Sequence, residues 1–138
     1  GRMIRFFILF FLMFLLACGP KEDSLEGRFI IYSKKVKEQP DDPEGHYNLG
    51  KVYIEKEKFQ SALHELNEAT RLKEDYGEAY REKGIALFYL KHYPDSEKAL
   101  LKSFKLNPTQ PDIATDLGSI YLKNGNMELM HKVCQSQS

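Results

Sequence analysis

The chain has 138 residues, which is enough for one domain, and its 20 basic and 20 acidic side chains cancel. A neutral chain lacks the clustered positive charge that nucleic-acid binding requires, so no nucleic-acid partner is expected. The apolar content of 42% is ordinary for a globular domain but is unevenly spread, since five of the nine Phe residues lie within the first 14 positions. The N-terminus is therefore treated as a separate segment.

That N-terminal segment has the organisation of a signal peptide. Arg2 and Arg5 precede an uninterrupted apolar run from Phe6 to Ala17. Twelve residues at about 1.5 Å each give roughly 18 Å of helix, well short of the roughly 30 Å hydrocarbon core of a bilayer. The length and the flanking charges therefore predict a signal peptide over residues 1–17, not a membrane span.

The junction Leu15-Leu16-Ala17-Cys18 resembles the lipobox of bacterial lipoproteins. The resemblance implies that the signal is cleaved before Cys18 and that the Cys18 thiol is lipidated, which anchors the chain to a membrane of the bacterial cell envelope. Gly19 at the next position favours the outer membrane, facing the periplasm. Residues 18–23 form a tether of about 20 Å at most. The alternative interpretations are an ordinary secretory signal with an incidental cysteine, or a short membrane anchor.

A leading helix is expected next, within residues 24–40. Apolar side chains recur at helical spacing from Leu25 to Val36, and Pro40 ends the segment. It is expected to cover the open face of whatever follows it, as the ends of repeat arrays require.

From residue 41 onward the sequence repeats with a period of 34. Gly50, Gly84 and Gly118 are 34 residues apart, and Asn48-Leu49-Gly50 returns as Asp116-Leu117-Gly118. This pattern resembles the tetratricopeptide repeat (TPR). The resemblance implies an all-α solenoid of about three helical hairpins over residues 41–138, in units 43–76, 77–110 and 111–138. We expect helices at 43–57, 59–73, 77–91, 94–106, 111–123 and 126–136.

No catalytic or metal-binding constellation is apparent. His46, His64, His92 and His131 stand apart, without metal-ligand spacing and without a cysteine partner nearby. They occupy four different places in the repeat, as surface or packing histidines would. The chain also lacks a glycine-rich phosphate loop. We therefore expect neither an enzyme nor a cofactor or metal site.

The family resemblance implies a concave groove lined by the first helix of each unit. Tyr47, Ile85 and Tyr89 would be its apolar anchors, and its acids outnumber its bases, so a neutral or basic segment of another protein, extended or helical, is the expected ligand. The alternative interpretation is that these charges only keep the helices soluble. The candidate groove residues are Tyr47, Asn48, Lys51, Glu78, Arg81, Glu82, Ile85, Tyr89, Asp112 and Asp116.

One specialised use of such grooves is disfavoured by these residues. The two-carboxylate clamp of cytosolic chaperone adaptors needs Lys and Arg in the third unit, where Asp112 and Asp116 stand. It also needs Lys and Asn in the first unit, where Tyr47 and Lys51 stand.

The sequence is consistent with two functions. The first is a lipid-anchored interaction scaffold or adaptor that assists assembly of an outer-membrane or pilus/secretion complex. The second is a structural protein that forms homo-oligomers by stacking through its uncapped C-terminal repeat.

Overall fold

The computed structural model describes residues 1–17, 19–109, 111–124 and 135, and its regular elements within these ranges are all α-helices. The all-α solenoid with a leading helix, as expected from the sequence, is confirmed. The expected helix at 126–136, and with it the self-stacking C-terminal edge, lies outside the described residues, apart from residue 135. The helices are α1 (Arg2–Ala17), α2 (Leu25–Glu38), α3 (Pro43–Glu55), α4 (Phe59–Leu72), α5 (Gly77–Tyr89), α6 (Tyr93–Leu106) and α7 (Pro111–Asn124).

Short polar side chains and prolines start several of these helices. The Ser24 side chain accepts a hydrogen bond from the N–H of Gly27 at 3.0 Å, which caps α2. The Asp42 carboxylate accepts from the N–H of Glu44 at 3.0 Å, and Pro43 occupies the first turn of α3. Each device satisfies or removes a backbone donor that the first turn would otherwise leave unpaired.

The first helices of the two complete hairpins end at Glu55 and Tyr89, two residues earlier than the expected ends at 57 and 91. Glu57 (φ 56°) and Lys91 (φ 62°) have left-handed backbone. Each donates its N–H to the carbonyl three residues earlier, at 2.9 Å, and the next residue donates five residues back, at 2.8 and 2.9 Å. These paired bonds close the helix and turn the chain into the hairpin.

Gly50 and Gly84 lie where the two helices of a hairpin approach each other closely. A Cβ atom placed on Gly50 would lie 2.7 Å from Cγ of Leu66, and one placed on Gly84 would lie 2.6 Å from Cγ of Leu100. Leu66 and Leu100 are themselves buried. In the first two hairpins the glycine spacing thus reflects a shared steric requirement, because a leucine of the second helix packs against backbone that carries no side chain.

The hydrophobic core runs along the array and does not form a single centre. Consecutive helices from α2 to α7 pack on one another in chain order. One buried cluster joins α4 to α5, and a second joins α6 to α7. Their fully buried members are Ala62, Leu66, Ala69, Ala79 and Ala86 in the first, and Leu100, Leu117, Ile120 and Tyr121 in the second.

The leading helix α2 packs against α3 and covers the first hairpin. The Arg28 guanidinium makes two parallel hydrogen bonds to the Glu55 carboxylate, at 2.8 and 2.7 Å. The Phe29 and Tyr53 rings meet edge to face with centroids 5.6 Å apart. A bidentate ion pair and an aromatic contact together fix the orientation of α2 on the array.

The N-terminal helix α1 presents its side chains to solvent. Every one of its side chains that the structure describes, from Arg2 to Phe14, is exposed. Within the described part of the chain, none of the helices combines the length and the apolar character needed to cross a membrane. Cys18, the expected lipidation site, lies outside the described residues.

Candidate functional site

The facing sides of α3, α5 and α7 form the groove that the repeat pattern predicts. Two adjoining cavities open there, of about 130 and 290 Å³. Asn48 and Lys51, which were also predicted to line the groove, line neither cavity. The first cavity collects Tyr47, Glu78, Arg81, Glu82 and Asp112, and the second collects Gly84, Ile85, Phe88, Tyr89, Leu100, Asp116, Ser119 and Ile120.

Arg81 is the basic residue among the side chains that line these cavities. Its Nε lies 3.2 Å from Oδ2 of Asp116, and its Nη1 lies 3.6 Å from Oε1 of Glu82. The contact with Asp116 joins α5 to α7 across 35 residues of sequence. One guanidinium thus stands among four carboxylates, those of Glu78, Glu82, Asp112 and Asp116, and the groove has a net negative charge.

Two of these carboxylates, those of Glu82 and Asp116, are partly buried. Burial raises the pKa of Glu82, although the charges of Arg81 and Lys51 oppose the rise. Burial also raises the pKa of Asp116, against the influence of its contact with Arg81. In each case the loss of hydration outweighs the nearby cation. An additional positive charge in the groove would therefore stabilise both ionised carboxylates.

Tyr47 forms an apolar floor at the acidic end of the groove. Its ring centroid is 5.0 Å from that of Tyr76, and Lys51 Nζ lies 5.3 Å from the Tyr47 ring. Burial and the neighbouring charges of Glu82 and Glu78 raise the pKa of the Tyr47 hydroxyl. Lys51 itself is exposed, so it belongs to the rim.

The exposed ring of Tyr89 is held by a stacking contact that the spacing of residues in the sequence did not indicate. Its ring lies parallel to that of Phe59, with an interplanar angle of 8° and a centroid distance of 4.6 Å. Tyr89 nevertheless remains 58% exposed. Phe88, which meets Tyr89 edge to face at 5.8 Å, also lines the groove and was missed. Its position three residues after Ile85, one helical turn on, is the signal that could have found it.

His46 lies outside the groove and is one of the packing histidines that the sequence allowed, although its two hydrogen-bond partners could not be foreseen. The side chain is buried, with Nδ1 2.7 Å from Oε2 of Glu65 and Nε2 2.7 Å from the carbonyl oxygen of Pro40. Burial alone would lower the pKa of His46, but the Glu65 carboxylate and the Pro40 carbonyl together raise it. Since both neighbours are acceptors, the doubly protonated ring satisfies both.

Comparison with protein families gives one match. Residues 47–111 match the family described as tetratricopeptide repeat. The matched segment begins in α3 and extends to the first residue of α7. It therefore contains most of the residues that line the groove, including those that α5 and α6 contribute to the second cavity.

Solved structures of repeat proteins share this fold. A structure of MamA is 25% identical with a TM-score of 0.76, and the match covers 82% of this chain and 66% of that one. The first TPR of Spaghetti (RPAP3), bound to the HSP90 peptide SRMEEVD, is 24% identical with a TM-score of 0.71, covering 73% and 80%. YrrB, a TPR protein described as having an unusual peptide-binding site, is 18% identical with a TM-score of 0.70, covering 77% and 55%.

Proposed function

We propose that this tetratricopeptide-repeat chain is a protein-interaction scaffold that holds a basic or neutral segment of a partner in the groove between α3, α5 and α7. The repeat is generally a non-enzymatic interaction module. The observation that carries the proposal is the placement of Glu82 and Asp116, two partly buried carboxylates that both contact Arg81.

These two carboxylates favour a cationic ligand. A lysine or arginine side chain entering the groove would supply a positive charge next to the two carboxylates. Their attraction would be stronger than at an open surface, because less solvent screens it. The exposed Tyr89 ring, supported from behind by Phe59, offers a rigid apolar contact beside it. Aromatic anchors next to partly desolvated charges are typical of the residues that dominate binding energy.

The charge also separates this groove from that of one structural relative. The HSP90 peptide held by the first TPR of Spaghetti contains adjacent glutamates and ends in aspartate. In this chain such a peptide would meet Glu78, Glu82, Asp112 and Asp116. We therefore expect discrimination against acidic peptide termini, because like charges brought together in a groove repel strongly.

The groove is tested with two fluorescent peptides of equal length, one carrying three lysines around a leucine and the other carrying three glutamates. Anisotropy with the full chain in non-ionic detergent should show preference for the basic peptide. The double variant Glu78→Gln/Asp112→Asn should weaken its binding by about fivefold at low salt.

The matched control is Glu22→Gln/Glu74→Gln, which removes the same charge from exposed positions that do not line the groove. Its affinity should stay within about twofold of the parent. Equal loss of affinity for the basic peptide in both variants, or no binding of that peptide by the parent, would show that the groove is not the binding site for a basic segment.

The location of this activity is a second part of the proposal, and it rests on the lipobox-like junction and the exposed apolar α1. We propose that lipidated Cys18 anchors the scaffold at the bacterial outer membrane, facing the periplasm, where it assists assembly of an outer-membrane or pilus/secretion complex. Metabolic labelling with an alkyne fatty acid should modify the parent and not Cys18→Ser. Labelling that persists in Cys18→Ser, or that never occurs, would contradict the anchor without bearing on the groove.

A further inference from the structure

A third cavity, of about 370 Å³, opens on the side of α5 that faces away from the groove. Glu78, Glu82 and Ile85 occupy one side of α5, whereas Tyr80, Lys83 and Leu87 occupy the opposite side, as the helical period requires. The walls are completed by α4 and by α6. The residues that matter for its chemistry are Leu63, Tyr80, Lys83, Leu87, Lys98 and Lys102.

Three lysines line this cavity, and two of them lie near one aromatic ring. Lys83 Nζ lies 5.9 Å and Lys102 Nζ lies 5.8 Å from the centroid of the Tyr80 ring. Among the residues that the structure describes, none of Lys83, Lys98 and Lys102 has a carboxylate oxygen within 4.0 Å. The cavity therefore presents cations without a close counter-charge.

Lys83 is the least hydrated of the three. Burial lowers its pKa, and the carboxylate of Asp95, which also lines the cavity, opposes this only through space. Three lysines against one aspartate leave a net positive charge on this wall. Leu63 and the buried Leu87 add an apolar surface to the same cavity.

We propose that this cavity binds an acidic segment of a partner protein, whose carboxylates lie between Lys83 of α5 and Lys98 and Lys102 of α6. Lys98 and Lys102 are one helical turn apart, with about 6 Å between their Cβ atoms, which matches two carboxylates one turn apart on a bound helix. An apolar side chain between those carboxylates would contact Leu63 and Leu87. This site is separate from the groove and of opposite charge, so it would admit a second partner segment at the same time.

An acidic protein segment fits the shape of the site better than an anionic membrane does. The lysines line a cleft between two helices, whereas a membrane surface contacts side chains that project from a convex or flat face. The cleft also combines charge with apolar walls, as amphipathic peptide segments require.

The probe is a fluorescent helical peptide with glutamates one turn apart and a leucine between them, and its reference is the same peptide with glutamines. In the full chain in non-ionic detergent, Lys98→Gln/Lys102→Gln should weaken binding of the acidic peptide by about fivefold or more at low salt. Asp95→Asn should tighten it by about twofold, because it removes the one competing carboxylate.

The control pair Lys58→Gln/Lys123→Gln removes the same charge elsewhere, and Lys98→Arg/Lys102→Arg should restore binding if charge at this cleft is responsible. The proposal is wrong if the control pair loses as much affinity as the cleft pair, or if the glutamine peptide binds equally well. It is also wrong if phosphatidylglycerol vesicles bind in a Lys98- and Lys102-dependent way while the acidic peptide does not.

Discussion

In several single residues of this array, the surrounding structure stabilises a backbone conformation or a protonation state that the isolated residue would not favour. Glu57 and Lys91 occupy equivalent positions after α3 and α5, and both have positive φ, although a side chain in left-handed backbone costs about 1–2 kcal/mol. The turn persists because its two hydrogen bonds close the helix and aim the chain into the next one.

Glycine at these two positions should therefore stabilise the fold. We expect Glu57→Gly and Lys91→Gly each to raise the free energy of unfolding by about 0.5–1 kcal/mol, the relief of strain less the greater freedom of glycine in the unfolded chain. Urea denaturation followed by circular dichroism measures this. Lys58→Gly, at a residue with φ of −93°, is the control and should give no gain. A loss of stability in both turn variants would refute the strain argument.

His46 is a second residue whose state is set by its surroundings. Its two ring nitrogens face a carboxylate and a carbonyl, and the pKa of His46 in the fold lies above its ordinary value. The stabilisation by the charged ring is then complete below about pH 6.5, the pKa in the unfolded chain, and is lost as pH rises through the folded-state pKa. The nearby acids that act on this ring are Glu65 and Glu68, both of α4.

The consequence is a stability that declines as the pH rises above about 6.5. We expect His46→Gln to lose about 1–3 kcal/mol at pH 6, since it leaves a buried polar partner unsatisfied, and to show a smaller decline between about pH 6 and 8 than the parent. Urea midpoints across this range test both parts. His64→Gln, at an exposed histidine, should change neither. A parent whose stability does not vary across this range would contradict the assignment of a charged His46.

At the scale of helices, the close approach of α5 to α6 determines how the second hairpin closes. The Ser96 side chain donates a hydrogen bond to the carbonyl of Gly84 at 2.6 Å, and Ser103 donates to the carbonyl of Gly77 at 2.7 Å. Both serines are buried, so these bonds hold the two backbones together where no side chain separates them. This close approach is the structural requirement behind Gly84.

A methyl group at this contact should separate the helices. Because Leu100 is buried and cannot swing away, we expect Gly84→Ala to destabilise by about 1–2 kcal/mol, even after allowing about 1 kcal/mol for the better helix propensity of alanine. Thermal melts of Gly84→Ala, Leu100→Ala and the double variant test it. The double variant should be more stable than the sum of the single losses, because the cavity left by Leu100 accepts the new methyl group. Simple additivity would exclude the steric explanation.

At the scale of the whole molecule, the groove and the lysine-lined cavity place opposite charges on opposite sides of one helix, α5. Glu82 shows the energetic consequence on the groove side. Since burial raises the pKa of Glu82, its ionised form destabilises the fold, and this penalty is present at neutral pH and absent once the carboxyl is protonated in both states. Sites that bind partners often retain such unfavourable charges.

Stability and binding should therefore respond in opposite directions to Glu82→Gln. We expect the variant to melt at a higher temperature at pH 7 and to lose that advantage at about pH 4, while the affinity for the basic peptide falls. Glu74→Gln, at an exposed acid, should leave both unchanged. A variant that is less stable at pH 7 would show that the contact with Arg81 outweighs burial.

The sequence by itself determined the α-helical hairpins, their phase and most of their boundaries. That information is local, since glycines at a period of 34, prolines in first turns and short polar caps act within one or two helical turns. Eight of the ten expected groove residues line the two cavities for the same reason: periodicity places them on one face.

Only the tertiary structure decided which of these residues act on one another. Arg81 meets Asp116, His46 meets Glu65 and Tyr89 stacks on Phe59, and these partners lie 35, 19 and 30 residues apart. The cavity that collects Lys83, Lys98 and Lys102 likewise depends on how α6 packs beside α5. The physical reason is that burial and charge interaction depend on distance in space, which a repeat period fixes for faces of helices but not for individual pairs of side chains.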